Sequence, residues 1–439
     1  MTRGVILSAP SSGGGKTVLA LALLRALSGG ARVAAAKVGP DYIDPAFHAA
    51  AARGPCVNLD GWALRPATLA ALARPDAAMV LCEGVMGLFD GAAVPAGERC
   101  GSTAELAALT GWPVVLVLDV RGMSGSAAAM LEGFVRHRPD VRVAGVIFNR
   151  VGGPAHRAML AESCRRAMPD CAQLGWVPRD ARLELPSRHL GLVQAGERRD
   201  LEDFIENAAA LIGETVDIQA LADLARPCRL DGLEPARPLP PLGQTIAVAR
   251  DEAFAFTYHA VLEGWRAAGA TLSFFSPLAD QAPEPNACAV YLPGGYPELH
   301  AGRLAANRRF LDGTRAAAAR GAAVFGECGG YMTLGRVLRD AEGAPHEMLG
   351  LLPLETSFAA RRLHLGYRRA RLADACPLGE AGEAFRGHEF HYATVTAEGP
   401  AEPLFHTACA AGRPLGPAGL RCGRVMGSFV HLMDLATSF

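Results

Sequence analysis

A glycine-rich loop between an apolar strand and a helix lies near the start of the chain, where residues 4–17 read GVILSAPSSGGGKT. Such a loop offers a polyphosphate several backbone N–H groups, a helix N-terminus and one lysine. We predict that Lys16 contacts the outer phosphates and that the hydroxyl of Thr17 binds Mg²⁺. Pro10 stands in place of the first glycine of the strict motif, so the flanking strand and helix carry the prediction. The alternative is a turn that only connects these two elements.

The first half of the chain alternates short apolar runs with helical stretches. The runs are rich in Val, Ile and Leu without polar alternation, as in strands that are covered on both faces. The predicted strands are Val5–Ser8, Arg32–Lys37, Ala78–Cys82, Val114–Asp119 and Val143–Phe148, and the helices include Lys16–Ala26 and Ser126–Phe134. The alternation predicts an α/β fold with a doubly wound, mostly parallel sheet.

A second α/β pattern begins after a proline-rich segment. Residues 227–244 read PCRLDGLEPARPLPPLGQ, a composition typical of an extended linker. We therefore predict a first domain at residues 1–226 and a second at residues 245–439. The strands predicted for the second domain are Thr245–Ala249, Thr271–Ser276, Ala287–Leu292 and Ala322–Gly326, with a helix at Tyr258–Ala268.

Charge and cysteine usage limit the partners of the chain. Its formal net charge of -1 gives no electrostatic argument for nucleic acid or for an anionic membrane. The N-terminus lacks the apolar run of a signal peptide, and no stretch has the roughly 20 apolar residues of a membrane span. The 11 cysteines are scattered without a CxxC pair. We predict small-molecule partners and a reduced, cytoplasmic location.

Two acidic clusters follow predicted strands of the first domain. The segment KVGPDYIDP contains Asp41 and Asp44, and CEGVMGLFDG contains Glu83 and Asp90. Ligands of open α/β sheets bind beyond the carboxyl ends of the strands, and Mg²⁺ prefers oxygen ligands. We expect these four carboxylates to converge on the metal ion of the nucleotide. Asn149 ends another strand, where it either contacts the adenine edge or stabilises a turn.

The second domain contains a cysteine on a predicted strand-to-helix elbow, AAVFGECGGYMT. Such an elbow exposes its nucleophile, and the following helix N-terminus is expected to lower the pKa of the Cys328 thiol. The histidine of GSFVHL, His431, is the predicted base for this thiol. The backbone of Gly294 and Gly295 in LPGGYPE is the predicted oxyanion site. Together these residues predict a glutaminase.

Seven motifs in this order resemble those of one family. APSSGGGKT, KVGPDYIDP, CEGVMGLFDG, LPGGYPELHA, GECGGYM, GHEFHY and GSFVHL are similar to the motifs of the corrin a,c-diamide synthases. Members of this family join a domain related to dethiobiotin synthetase to a class I glutamine amidotransferase domain. The resemblance runs from Val5 to His431, which is nearly the whole chain.

The resemblance implies ATP- and glutamine-dependent amidation of the a and c acetate groups of cobyrinic or hydrogenobyrinic acid, a corrin tetracarboxylic substrate, through an acyl phosphate. It implies Mg²⁺ as cofactor and a possible homodimer. The residues implied for ATP binding are Gly13, Gly14, Gly15, Lys16, Thr17 and Asn149. The residues implied for substrate activation are Asp41, Tyr42, Asp44 and Asp90, and those for the metal are Thr17, Asp44 and Glu83. Cys328 and His431 are implied as the catalytic pair of the glutaminase.

Some questions stay open at this point. Class I amidotransferases often have a glutamate two residues after the histidine, where this chain has Met433. Asp434, Glu389 or a backbone carbonyl is then left to orient His431. Cobyric acid synthase and nickel-sirohydrochlorin a,c-diamide synthase are related alternatives, and a P-loop partitioning ATPase is an alternative from another class. The sequence does not distinguish a metal-free from a cobalt-containing substrate.

Overall fold

The computed structural model describes residues 2–436, apart from residues 31, 186, 189–190, 193, 199, 231–232, 234–235 and 237–238. Six residues of the predicted linker therefore lie outside the described residues. The chain forms two compact units. The first comprises Met1–Trp62, Pro66–Gly91 and Arg99–Ala236, and the second comprises Ala63–Arg65, Ala92–Glu98 and Arg237–Phe439.

The first unit is built on a central sheet of seven parallel strands in the order β3-β2-β4-β1-β5-β6-β7, with β10 antiparallel to β1. The strands of this unit are β1 Arg3–Ser8, β2 Val33–Val38, β3 Cys56–Leu59, β4 Met79–Glu83, β5 Val114–Asp119, β6 Val143–Val151, β7 Ala172–Pro178, β8 Ser187–Arg188, β9 Gly191–Leu192 and β10 Arg226–Pro227. Strands β8 and β9 form a separate two-stranded sheet. Strand β1 lies between β4 and β5, so the loops after these three strands meet at one edge of the sheet.

Eight helices belong to the described part of this unit. They are α1 Lys16–Ser28, α2 Asp44–Ala52, α3 Pro66–Leu72, α4 Thr103–Thr110, α5 Ser126–Arg136, α6 Pro154–Ala167, α7 Leu201–Thr215 and α8 Ile218–Leu224. The buried side chains of β1, β4 and β5 are almost all apolar, as expected for strands with helices on both faces. The predicted doubly wound parallel sheet is confirmed.

The second unit contains a ten-stranded mixed sheet and a smaller sheet of four strands. Its strands are β11 Thr245–Ala249, β12 Thr271–Phe275, β13 Ala289–Leu292, β14 Ala323–Glu327, β15 Val337–Arg339, β16 Pro345–Glu347, β17 Leu354–Ser357, β18 His364–Leu372, β19 Ala384–His391, β20 Thr394–Glu398, β21 Glu402–Cys409, β22 Pro414–Cys422, β23 Val425–Ser428 and β24 Val430–Leu435. Its helices are α9 His259–Ala267, α10 Ala301–Ala306, α11 Arg308–Ala319 and α12 Gly329–Leu334.

The order of the large sheet explains how distant residues meet. The strands run β12-β11-β13-β14-β23-β22-β21-β18-β19-β24. The first five strands run parallel to one another. Every pairing from β23–β22 onward is antiparallel. Strands β23 and β24 follow each other in the chain but have different partners, since β23 pairs with β14 in the middle of the sheet and β24 pairs with β19 at its edge. The start of β24 lies near the end of β14, where the backbone N–H of Leu432 donates to Glu327.

Two further findings concern the whole described chain. All 11 cysteines are free in the structure. Among the residues that the structure describes, none of the helices has the length and apolar character that a membrane span requires.

Candidate active sites

The glycine-rich loop wraps around the start of α1. Gly13 and Gly15 have φ angles of +80° and +89°, which glycine adopts without strain, and Gly15 caps the helix. The ammonium of Lys16 donates to the carbonyl oxygens of Ser11 (3.1 Å) and Met86 (2.6 Å). Burial lowers the pKa of Lys16 from its usual value, while nearby carboxylates act in the opposite direction. The loop therefore surrounds its lysine as the sequence predicts.

Asn149, at the end of β6, contacts this loop. Its side-chain amide donates to the carbonyl oxygen of Gly14 at 2.9 Å. A Cβ atom on Gly15 would lie 2.3 Å from the same amide nitrogen, so this close approach requires glycine. Of the two roles that the sequence left open, the geometry favours the structural one, because the amide fixes the loop.

A cluster of oxygen ligands lies beyond β2 and β4. The hydroxyl of Thr17 donates to Glu83 at 2.8 Å and lies 3.5 Å from a carboxylate oxygen of Asp44. The ammonium of Lys37 lies 2.6 Å from Asp44 and 3.0 Å from Glu83. One hydroxyl and two carboxylates thus converge, which is the donor set that Mg²⁺ takes beside the phosphates of a nucleotide. These residues fit the implied metal.

Lys37 and His48 belong to this cluster, although the sequence reasoning did not single them out. His48 lies 2.6 Å from Glu83 and is 1% exposed. Burial alone would raise the pKa of Glu83, but Lys37 and His48 hold it well below its usual range. Burial likewise opposes the charge of Lys37, but Glu83 and Asp44 raise its pKa. A lysine at the end of a buried strand was the available signal.

The other predicted acidic residues are placed differently. Asp41 accepts hydrogen bonds from the backbone N–H groups of Ile43 and Asp44, and burial, with the charge of Asp44, raises its pKa to about 6. Tyr42 is buried. Asp90 accepts from the backbone N–H of Gly87 at 2.8 Å and so stabilises its own turn. The structure therefore brings Asp44 and Glu83 together with Thr17, and leaves Asp90 in a neighbouring loop.

A cleft of about 650 Å³ opens over this cluster. Its lining includes the loop, the oxygen ligands and the end of β6, namely Gly13, Gly15, Lys16, Thr17, Lys37, Asp41, Asp44, Glu83, Asn149 and Arg150. The volume lies in the range of small-molecule sites. A lysine end and a carboxylate end of the cluster thus face the same space.

The predicted elbow is present in the second unit. Cys328 has φ +47°, a strained backbone conformation for a residue that is not glycine, and it joins β14 to α12. A Cβ on Gly330 would lie 1.8 Å from the carbonyl oxygen of Leu292, and one on Gly326 would lie 2.7 Å from Gly330. The glycines of GECGG are therefore required for the tight turn that presents the thiol.

The turn at Gly294 and Gly295 lies against His431 and against the elbow that carries Cys328. A Cβ on Gly294 would lie 2.3 Å from the Cε1 atom of His431. On the other side, a Cβ on Gly329, the residue after the nucleophile, would lie 3.0 Å from the backbone nitrogen of Gly295. The turn thus lies between the imidazole and the elbow, where its backbone is placed as the predicted oxyanion site requires.

The expected lowering of the thiol pKa is wrong for this structure. Burial, with Glu298 and Glu327 as further contributions, raises the pKa of Cys328 well above its usual range. Helix α12 spans only Gly329–Leu334, so its terminus is a weak source of positive potential. Burial also lowers the pKa of His431 to about 3. Both groups are therefore neutral near pH 7, and the thiol of Cys328 donates to the carbonyl oxygen of Phe390 at 3.7 Å.

Glu327, directly before the nucleophile, is the carboxylate beside His431. Its Oε2 lies 3.9 Å from His431 Nδ1 and accepts a hydrogen bond from the hydroxyl of Tyr291 at 2.6 Å. Its Oε1 accepts from the backbone N–H of Leu432 at 3.0 Å. Burial raises the pKa of Glu327 to about 7. Sequence reasoning missed this residue, although a glutamate at the end of a buried strand was a signal.

The carboxylates that the sequence offered as the third member have other partners. Asp434 is fully buried and accepts from the backbone N–H and the guanidinium of Arg65, at 2.8 and 3.0 Å. Glu389 lies 2.5 Å from Arg368 and 2.9 Å from His391. Both carboxylates thus have strong partners of their own, and Glu389 also acts on His431 through its charge, which favours the protonated imidazole.

Comparison with known proteins gives a family match for each half of the chain. Residues 5–193 match the model of the CobQ/CobB/MinD/ParA nucleotide binding domain, and residues 245–439 match that of the CobB/CobQ-like glutamine amidotransferase domain. A phosphate-loop unit joined to a cysteine-elbow unit of this kind defines a glutamine-dependent amidating ligase.

Relatives over the full length narrow the class. The hydrogenobyrinate a,c-diamide synthase of Brucella anthropi is 52% identical, with 98% of each chain covered. The enzyme of the same name from Rhizobium meliloti is 53% identical over 99% of each chain, and that from Rhodobacter capsulatus is 52% identical over 98% of each. The chain belongs to the corrin a,c-diamide synthase family.

Proposed function

We propose that this chain amidates the a and c acetate carboxylates of hydrogenobyrinic acid in cobalamin biosynthesis, with ATP and glutamine as co-substrates. The observation that supports the proposal is the presence on one chain of a glycine-rich loop with a lysine and clustered oxygen ligands, and of a cysteine elbow whose neighbouring turn lies against His431. The names of the full-length relatives support the metal-free substrate. Cobyrinic acid, with cobalt at its centre, is the second candidate, because the reacting carboxylates lie far from that centre.

The first unit activates the carboxylate. A carboxylate oxygen of the corrin attacks the γ-phosphorus of ATP, the bond to the β-phosphate oxygen breaks, and ADP leaves. Lys16 stabilises the charge on the transferred phosphoryl group, and the loop backbone binds the phosphates. Ammonia then attacks the acyl carbon of the acyl phosphate, phosphate leaves with its oxygen, and loss of one proton gives the amide.

A divalent cation fits the cluster of Thr17, Asp44 and Glu83. We propose that these residues hold Mg²⁺, which supplies positive charge to the phosphates when bound. Lys37 and His48 hold the pKa of Glu83 well below its usual range, so this carboxyl is ionised near pH 7. The ionised carboxylate is the form that binds a cation.

The second unit supplies the ammonia. His431 takes the proton of Cys328 as the sulfur attacks the side-chain amide carbon of glutamine. The backbone N–H groups of Gly295 and Gly329 stabilise the oxyanion. The imidazolium then returns the proton to the leaving nitrogen, ammonia departs, and water hydrolyses the thioester to glutamate. Generation of ammonia in place provides the neutral amine, because free ammonia is mostly protonated near pH 7.

We infer that Glu327 is the positioning residue for His431. Its carboxylate, 3.9 Å from Nδ1, stabilises the imidazolium that forms during proton transfer. Only the ionised carboxylate does so, and its pKa is raised to about 7. We therefore expect kcat for glutaminase to rise with pH through about 7 in the native chain. Glu327→Gln should lower kcat at pH 8 by roughly 10²-fold and remove this rise, while KM for glutamine changes little.

Tyr291→Phe is the matched variant for this prediction. In the native chain the hydroxyl of Tyr291 donates to Glu327 at 2.6 Å and lowers the pKa of that carboxyl. Loss of the hydroxyl should shift the rising limb of the pH profile to higher pH without removing it. A Glu327→Gln variant that keeps the native pH profile would refute the role of Glu327.

The function is tested with purified substrates. We expect incubation with hydrogenobyrinic acid, ATP, Mg²⁺ and glutamine to give a product with two acid groups converted to amides, which mass spectrometry detects as a loss of about one mass unit per amide. Removal of Mg²⁺ with a chelator should abolish amidation and leave the fold intact. Parallel assays with cobyrinic acid compare kcat/KM for the cobalt-containing acid with that for the metal-free acid. Failure to amidate either acid, or amidation of four other side chains, would contradict the proposal.

A further inference from the structure

Glu298 presents a buried carboxylate oxygen that the described residues do not satisfy. It lies in the short 3₁₀ turn Pro297–His300, three residues after Gly295. The residue as a whole is partly exposed, but its Oε2 atom is buried and has no hydrogen-bond partner among the residues that the structure describes. An unsatisfied buried carboxylate is unfavourable for folding by itself. Its position therefore requires another explanation.

This carboxylate belongs to the surroundings of the nucleophile. A Cβ on Gly329, next to Cys328, would lie 2.8 Å from the Cδ atom of Pro297, so the turn that carries Glu298 packs against the elbow. After burial, Glu298 is the largest influence that raises the pKa of the Cys328 thiol. A negative charge beside a thiol opposes thiolate formation, so Glu298 does not activate the nucleophile directly.

The geometry points to Glu298 as the residue that recognises the α-ammonium group of glutamine in the glutaminase site. This inference rests on the proposed glutaminase and adds its substrate specificity. Glutamine brings one amide to be cleaved and, at its other end, an ammonium with three N–H donors. A carboxylate with an unsatisfied buried oxygen is the complementary partner, because a charge-assisted hydrogen bond satisfies both groups.

Recognition of this kind fits the charge state of the carboxyl. Burial raises the pKa of Glu298 to about 8, so the carboxyl is mostly neutral near pH 7 until a cation binds. An incoming ammonium favours the ionised form and balances its charge, so binding of the correct substrate places no unbalanced negative charge beside Cys328.

The test compares glutamine with glutaramate, which is glutamine with hydrogen in place of the α-ammonium. We expect the native chain to prefer glutamine in kcat/KM for ammonia release. Glu298→Gln should lower kcat/KM for glutamine by about 10²- to 10³-fold and that for glutaramate by less than about threefold, so the preference is lost. Glu298→Asp keeps the charge and should retain part of the preference. Glu284→Gln, which removes an exposed carboxylate of the same unit, should leave kcat/KM unchanged for both substrates.

Binding without turnover gives a second measurement. In the Cys328→Ala background, calorimetry should show glutamine binding that Glu298→Gln weakens by about 10²-fold. An unchanged preference, or an equal loss for both amides, would overturn the inference. If the native chain prefers glutamine but amidates no corrin acid, the proposed function fails while this inference stands. If ammonia-dependent amidation is normal and the preference survives in Glu298→Gln, the inference fails while the function stands.

Discussion

We expect the Cys328→Ala variant to lose glutamine-dependent amidation by about 10³-fold or more while it keeps amidation driven by high ammonia. The sulfur is the only atom of this residue that can form the thioester, and its strained position on the elbow presents it to the Gly294–Gly295 turn. The phosphate-binding cluster lies in the other compact unit. Loss of the thiol should therefore leave carboxylate activation unchanged.

The measurement is product formation with glutamine and with ammonium chloride at a pH where part of the ammonia is neutral. Cys422→Ala is the control, because Cys422 is an exposed free cysteine of the same unit. It should behave like the native chain with both nitrogen sources. Equal loss of both activities in Cys328→Ala would refute the assignment of separate steps to separate sites.

The second large effect is expected for Lys37→Met. Lys37 lies between two carboxylates, of which Glu83 has a side chain that is 1% exposed. Removal of one member of a buried ion pair leaves an uncompensated charge and lowers the free energy of unfolding by about 3 to 5 kcal/mol. ATP-dependent amidation should also be lost with either nitrogen source, since the cluster that we propose for Mg²⁺ is disrupted.

The stability loss should depend on pH with a defined sign. In the native chain the depressed pKa of Glu83 stabilises the fold above the usual pKa of a glutamate, near 4.5, and this contribution is lost as pH falls through the folded-state pKa. Without Lys37 the pKa of Glu83 should rise, so the buried carboxyl takes up a proton under mild acid. The difference in unfolding free energy between native and variant should therefore shrink on acidification from pH 7 to pH 5.

Urea denaturation of the two chains measures this difference. Arg32→Ala is the matched control, because Arg32 forms an exposed ion pair with Asp76 just before β2, the strand that carries Lys37. Exposed pairs contribute about 0 to 1 kcal/mol, so the control should be close to native at every pH. A Lys37→Met variant as stable as Arg32→Ala would contradict the role of Lys37.

Local sequence patterns predicted five of the seven parallel strands of the first sheet, whereas β3 and β7 were not predicted. Strands β1, β5 and β11 were expected within about two residues of their bounds, because apolar runs bounded by turns depend on near neighbours alone. The antiparallel strands of the second unit were not predicted. Strand β18, HLGYRRARL, contains four charged or basic side chains, and its strand state depends on pairing with β19 and β21.

The proposed catalytic residues also fall into two groups, those that local motifs predicted and those that only tertiary contacts revealed. The glycine motifs of the phosphate loop and of the elbow each span a few adjacent residues, so the sequence was enough to locate Lys16 and Cys328, although distant residues such as Asn149 and Leu292 exclude a side chain there. The sequence did not predict which residues pair with the buried charged side chains. Glu327 reaches His431 only because β23 pairs with β14 and β24 continues past the elbow.

The sequence by itself thus determined the two turns that present a lysine to phosphates and a thiol to an amide, since each depends on a few adjacent residues. It also determined the family, through motifs in a fixed order. The tertiary structure alone decided which carboxylates serve Lys37, His431 and the glutamine site. Those pairings join residues far apart in the chain, and strand order and burial set both their distances and their charge states.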